Sequence, residues 1–279
     1  MGENMKKIIA IDLDGTLLDS DKKIPESTIE YLKELKEEGN IIVIATGRTA
    51  NSAKAVTNGA DFANYIISDT GLILYDISQE KVIYRNQIDK DEAEKLYNEA
   101  IKEDCKRIEI FTNEKYYEYQ KYENYYNNKI YKTNIHIKKY EDFAKYNETI
   151  NHMAISFDTN EQGRKFILDY QNKVNNIDIL VMKDSFAQNI EWLEICCKGV
   201  NKYTTLERLS QMLDIKIEDV ISFGDSPNDI EMIANSGIGV AMANAIAQVK
   251  QVSKSETNFS NNEKGVEMWL RSNFKQFCR

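Results

Sequence analysis

Histidine, proline and cysteine are scarce in this chain: its 279 residues include 2 His, 2 Pro and 4 Cys. The cysteines, Cys105, Cys196, Cys197 and Cys278, form no C-x-x-C pair, and only His136 and His152 are available to complete a zinc site. That excludes a disulfide framework and a structural zinc as organising principles. Cys196 and Cys197 close an apolar run, where packing is their expected role. Two prolines leave no Pro-rich linker, and no low-complexity tract or internal repeat is visible. No apolar stretch approaches the roughly 18 residues that cross a membrane. The opening MGENMKKIIAID lacks a signal-peptide plan, so the expected location is cytoplasmic. Basic excess is missing too: 36 Lys and Arg face 45 Asp and Glu, a net charge of -9. This argues against nucleic acid as a partner. An anionic ligand would need local positive charge from a metal, a lysine or helix N-termini.

What is present reads as ordinary globular protein, 42% hydrophobic and 29% charged, long enough for one large domain or two. The first part alternates β and α. Residues 6–12 form an apolar strand. Pro25 and Ser27 open a helix that Gly39 closes. Ile41–Ala45 and NYIISDTG follow as strands without polar alternation, as expected in a parallel sheet covered on both faces. LILYDISQEKVIYRN alternates like a hairpin. From about Ile88 the character changes. Asp89 caps a helix, and the strand-like pieces RIEIFT, KYYEYQ, HMAISFD, IDILVMK and IEWLEICC suggest a mostly antiparallel α+β unit. Its tyrosines (Tyr116, Tyr117, Tyr119, Tyr122, Tyr125, Tyr126, Tyr131) read as amphipathic packing and composition bias. The βα rhythm returns at Val200. The expected architecture is a doubly wound Rossmann-like α/β core, residues 1–86 and 190–279, with an inserted α+β cap, 87–189.

In open parallel sheets ligands bind beyond the carboxyl ends of the strands. Three strands here end in polar clusters: Asp12-Leu13-Asp14-Gly15-Thr16, Thr46-Gly47-Arg48, and Gly224-Asp225-Ser226-Pro227-Asn228-Asp229. Lys202 opens a helix of the same domain. Two carboxylates one residue apart at a buried strand end repel, so a proton or a metal ion must neutralise one of them. Each cluster alone is a turn, a cap or a solvated lysine. Together, in this order, they form a candidate site.

With Lys198-Gly199-Val200-Asn201-Lys202 as the fourth cluster, the chain resembles a haloacid dehalogenase superfamily phosphatase of the Cof type (type IIB, with a C2 cap inserted after the third core strand). The resemblance covers nearly the whole chain. It implies an Mg²⁺-dependent phosphatase acting on small phosphomonoesters, sugar phosphates foremost, through an aspartyl-phosphate. Asp12 would be the nucleophile, and Asp14 the general acid and then the base, which requires Asp12 ionised and Asp14 able to hold a proton. Asp12, the Asp14 main-chain carbonyl and Asp225 would hold Mg²⁺. Thr46, Gly47, Lys202 and Asn228 would bind phosphate. Asp229 would hold the metal through water or orient Lys202, and Arg48 would pair with an acidic core residue or reach substrate. Lys183, Asp184 and Glu191 are candidate cap contacts. The chain departs from the pattern at Thr70-Gly71, where Asn-Gly is common, at Ala243, and at Lys264-Gly265-Val266. It is expected to be a monomer or homodimer.

Two other readings use the same residues. Phosphoryl transfer to a sugar hydroxyl would make a mutase. A non-catalytic sensor of phosphorylated metabolites would keep only the fold, and loss of Asp12, Asp14, Lys202 or Asp225 would mark it; all four are present. A dinucleotide-binding protein is disfavoured because the first βα turn lacks G-x-G-x-x-G.

Overall fold

The computed structural model describes residues 6–112, 115–122, 134–183 and 191–277. Asp184 and the Lys183 side chain lie outside the described residues, as do Tyr125, Tyr126, Tyr131, Cys278 and the Tyr116 side chain. The chain divides into two compact units, Met1–Arg85 with Val200–Arg279, and Asn86–Gly199.

The first unit begins with β1 (Ile8–Ile11), α1 (Glu26–Glu37), β2 (Ile41–Ala45), α2 (Ala50–Val56), β3 (Tyr65–Ser68) and a hairpin, β4 (Ile73–Asp76) and β5 (Lys81–Arg85). The second unit holds α3 (Lys90–Lys102), β6 (Arg107–Phe111), β7 (Tyr116–Gln120), β8 (Asn134–His136), α4 (Tyr140–Ala144), β9 (His152–Ser156), α5 (Asn160–Tyr170), β10 (Ile177–Lys183) and β11 (Glu191–Cys197). The chain then returns through α6 (Lys202–Met212), β12 (Val220–Gly224), α7 (Ile230–Asn235), β13 (Ile238–Ala241), α8 (Ala247–Val252), β14 (Ser255–Glu256) and α9 (Gly265–Phe277).

The eight-stranded sheet runs β14-β13-β12-β1-β2-β3-β4-β5. It is parallel from β14 to β3, and the hairpin adds two antiparallel strands. The continuous apolar runs have a simple cause. Ile9 and Ile11 of β1, with Ile42 and Ile44 of β2, enter one buried cluster; Ile8, Ala10, Val43 and Ala45 enter another on the opposite face. Helices cover both faces, so neither set of alternate positions meets water. Each fully buried Ile contributes roughly 1.5–3 kcal/mol of transfer free energy. This burial fixes β1 at the centre, and polarity begins where the strand ends, at the still-buried Asp12.

The six-stranded sheet of the second unit runs β10-β11-β9-β6-β7-β8, antiparallel except between β7 and β8. The return to the first unit falls at Val200 and not at 190. Glu191–Cys197 pairs with β10 on one side and β9 on the other, so it is an interior strand of this sheet. Glu191, a candidate ligand contact by sequence, pairs with Arg164 at 2.8 Å.

Candidate active site

Three adjacent strands, β12, β1 and β2, deliver the polar clusters to one sheet edge. The Asp12 N–H still donates to the Phe223 carbonyl of β12 (3.1 Å), continuing the ladder by one residue. The chain then turns sharply, with Leu17 and Leu18 N–H groups donating to the Leu13 carbonyl. Gly15 sits at φ +81°, and a Cβ there would lie 2.4 Å from Asp225 Oδ2. The residue must therefore be glycine on two counts, conformation and space.

Lys202 is the hinge of the site. Asn201 caps α6: its side chain accepts from the Thr204 N–H, and the Thr204 hydroxyl accepts from the Asn201 N–H. That places Lys202 on the first helical turn, where a cation is disfavoured by the helix dipole. It is also fully buried. Its ammonium is satisfied by three acceptors: Asp12 Oδ1 at 2.7 Å, Asp229 Oδ1 at 2.7 Å and Asn228 Oδ1 at 3.3 Å. Burial pulls the ammonium down, but Asp12 and Asp229 hold it above the ordinary lysine range.

Asp229 has no free edge. Oδ1 takes Lys202, while Oδ2 accepts the N–H groups of Asp225 (3.1 Å) and Ser226 (3.0 Å) and the Ser226 hydroxyl (3.1 Å). Asp225 is fixed by the Thr16 hydroxyl at 3.0 Å. Thr16 and Ser226 thereby join the site, although sequence alone assigns them no role.

The two aspartates of the first turn live in opposite environments. Burial, with Asp229 and Asp225 nearby, pushes Asp12 up to about 8 in spite of Lys202. Burial also raises Asp14, but the hydrogen bonds from Arg48 and Lys22 outweigh it and hold the carboxyl at about 2. The protein's own groups thus push the two carboxyls in directions opposite to the expectation of Asp12 ionised and Asp14 able to hold a proton. Burial and Asp229 account for Asp12, and close contacts account for Asp14: Arg48 Nε and Nη2 grip it at 2.6 and 2.7 Å, and Lys22 Nζ lies 2.7 Å away. Nothing in the sequence signalled Lys22.

Asp12, Asp225 and Asp229 each bring a carboxylate oxygen within 4.8 Å of the others. Burial, with the charges of Asp229 and Asp14 nearby, pushes Asp225 up to about 6. An all-oxygen donor set whose charges oppose one another suits a hard divalent cation. Asp12 and Asp225 have oxygens to offer it, whereas Asp229 is committed to Lys202 and the main chain. Thr46 is buried at the end of β2, its hydroxyl accepting the Arg48 N–H (3.1 Å), and Gly47 is exposed beside it. Asp12, Asp225, Lys202, Asn228 and Asp229 are thus brought together, with Gly47 next to Asn228, while the Asp14 side chain points to Arg48.

Residues 9–270 match the family model of haloacid dehalogenase-like hydrolases. The chain is similar to a 5-amino-6-(5-phospho-D-ribitylamino)uracil phosphatase of Bacillus subtilis, with 26% identity over 98% of this chain and 99% of that one. It is also similar to an HMP-PP phosphatase of Yersinia enterocolitica, with 26% identity over 88% and 87%. Among solved structures, TM0651 of Thermotoga maritima superposes with a TM-score of 0.77 at 26% identity, covering 96% of this chain and 97% of that one. The HAD subclass IIB sugar phosphatase BT4131 shares the fold with a TM-score of 0.73 at 23% identity over 96% and 98%. With three polar clusters at strand ends and a fourth at the start of α6, the chain belongs to the haloacid dehalogenase-like hydrolases, and within them to the phosphatases.

Proposed function

We propose that the protein hydrolyses small phosphomonoesters, sugar phosphates foremost, with Asp12 as nucleophile and Mg²⁺ as cofactor. The observation that carries this reading is the buried Lys202 ammonium, 2.7 Å from both Asp12 and Asp229. Burying a lysine and two carboxylates is costly and contributes little net stability. It is an arrangement suited to an anionic, electron-demanding centre.

An Asp12 oxygen attacks phosphorus, and the bond from phosphorus to the leaving oxygen breaks. A proton on Asp14 goes to that oxygen. Water then attacks the aspartyl-phosphate and gives its proton to the Asp14 carboxylate, which frees phosphate and restores Asp12. The observed Asp14, held ionised by Arg48 and Lys22, is set for the second step. The first requires that these contacts loosen as the leaving group arrives. Lys202, Thr46, Gly47 and Asn228 hold the transferring group, and Asp229 orients Lys202. Mg²⁺ would be held by Asp12, Asp225 and the Asp14 carbonyl; when bound, it offsets the repulsion between the Asp12 carboxylate and a phosphate dianion. A cytoplasmic site of action goes with such substrates.

The relatives' names widen the substrate field to a phosphorylated ribitylaminouracil and to HMP-PP. The test is product analysis over a panel of hexose and pentose phosphates, pyridoxal phosphate, flavin mononucleotide and an aryl phosphate. Free phosphate is the expected product. An isomeric sugar phosphate in its place would make the acceptor a sugar hydroxyl and overturn the hydrolase reading.

A further inference from the structure

The turn Asp69-Thr70-Gly71, which joins β3 to β4, holds three successive residues at positive φ: 50°, 56° and 105°. Glycine adopts this freely, but a β-branched threonine there is an outlier. Such strain persists only where the surroundings over-determine it, and it gathers at functional sites. Here the surroundings do so from two sides. The Asp69 N–H donates to the Arg48 carbonyl (2.9 Å) and the Thr70 N–H to the Thr46 carbonyl (3.1 Å), lacing the turn to the loop after β2. On the other side a Cβ on Gly71 would fall 2.2 Å from the Asn201 carbonyl oxygen, and the Thr205 hydroxyl donates to the Gly71 carbonyl. The turn is thus pressed onto the helical turn that carries Lys202.

The strained conformation delivers the Thr70 hydroxyl to one place. It lies 3.5 Å from where a Cβ on Gly47 would stand, and Asn228 Nδ2 approaches the same point at 3.5 Å. Asn228 spends its Oδ1 on Lys202 and Ser226, and its amide N–H groups make no hydrogen bond among the described residues. The half-buried Thr70 hydroxyl makes no hydrogen bond among the described residues. Two donors without partners among the described residues therefore approach one point beside Gly47, and one of them belongs to Asn228, whose Oδ1 accepts from Lys202.

We propose that Thr70 is a further binding residue for the tetrahedral oxyanion, its hydroxyl donating to a phosphate oxygen beside Asn228 Nδ2 and the Gly47 N–H. The inference deepens the phosphatase reading and rests on it for the identity of the anion.

The experiment is calorimetric binding of inorganic phosphate with Mg²⁺ present, alongside KM and Tm, for wild type and for Thr70→Val, Thr70→Ser and Thr70→Gly. A hydrogen bond to a charged group accounts for about a tenfold change. Thr70→Val is expected to bind phosphate about tenfold more weakly and to raise KM in step, while Thr70→Ser stays within about threefold of wild type. Thr70→Gly relieves the backbone and lacks the hydroxyl, so it should match or exceed the wild-type Tm and still bind phosphate about tenfold more weakly. Wild-type affinity in the Val or Gly variant overturns the proposal, as does an equal loss in Ser and Val, which would make the effect one of backbone packing. Weaker phosphate binding in Val and Gly, with no phosphomonoester turned over by any form, would sustain Thr70 and sink the phosphatase reading. Turnover with unchanged phosphate affinity would do the reverse.

Discussion

The Arg48 guanidinium grips the Asp14 carboxylate with two parallel hydrogen bonds, Nε to Oδ2 at 2.6 Å and Nη2 to Oδ1 at 2.7 Å. A two-pronged pair of this kind fixes orientation as well as charge. Asp14 is more than a third exposed, so the pair contributes little to stability. Arg48→Ala is expected to lower kcat about tenfold through lost orientation, with KM and Tm nearly unchanged. Arg48→Lys should not restore kcat, because an ammonium cannot reproduce the fork. A kcat equal to wild type in steady-state kinetics would remove Arg48 from the site's working parts.

Lys202 answers two buried carboxylates at once, with Asp229 fully buried and Asp12 nearly so. Lys202→Met fills the space and leaves both acids without their cation. Breaking a buried pair in this way costs about 3–5 kcal/mol. Urea denaturation should show a loss of about that size, and turnover should fall by about a hundredfold or more. A stability change of under about 1 kcal/mol would mean that the pair is not formed in solution.

Asp225 tests the cation site without a turnover assay. Its folded pKa is raised by burial to about 6. For an acid, a raised folded pKa means that the ionised form opposes folding. Folding stability therefore falls as pH rises from the unfolded value, near 3.9, through the folded value. With chelator at pH 8, Asp225→Asn should have a higher Tm than wild type. Adding Mg²⁺ should raise the wild-type Tm, since a ligand that binds only the native state stabilises it, and should leave the variant nearly unmoved. Equal Mg²⁺ stabilisation of both would take Asp225 out of the coordination shell.

Gly15→Ala reaches the same carboxylate from the other side. The new methyl would stand 2.4 Å from Asp225 Oδ2, on a residue at φ +81°. The expected result is a destabilisation of about 1–2 kcal/mol from the left-handed backbone. With it, the Mg²⁺ concentration for half-maximal thermal stabilisation should rise about tenfold, as for an outer contact whose loss misplaces a metal ligand. An unchanged Mg²⁺ response would show that the loop yields without moving Asp225.

Much of the fold was legible because its signals are local. β1 and β2 announce themselves as apolar runs ending in polar clusters, and Asp89 is a cap readable over three residues. The clusters at Asp12, Thr46 and Asp225 follow from where strands end, and Lys202 from where a helix begins. What was not legible depends on contacts across the chain. Lys22 meets Asp14 from 8 residues away with no local signature, whereas Arg48, expected to pair with an acidic core residue or to reach substrate, meets Asp14 from 34 residues away. Thr70 reads as an ordinary turn residue until its φ is known. The boundary at 190 misplaced β11 because an interior strand looks alike in either sheet. Helix α9 went unread despite a plain spacing, with Val266, Trp269, Leu270 and Phe274 all buried on one face.

The central claim is that Asp12 attacks phosphorus. Its most direct test is phosphate release from the best substrate of the panel by wild type and Asp12→Asn, each with Mg²⁺ and with chelator, and with equal folding checked by circular dichroism. The account predicts Mg²⁺-dependent release by wild type and a loss of about a thousandfold or more in the variant. Release by folded Asp12→Asn at near the wild-type rate would contradict it.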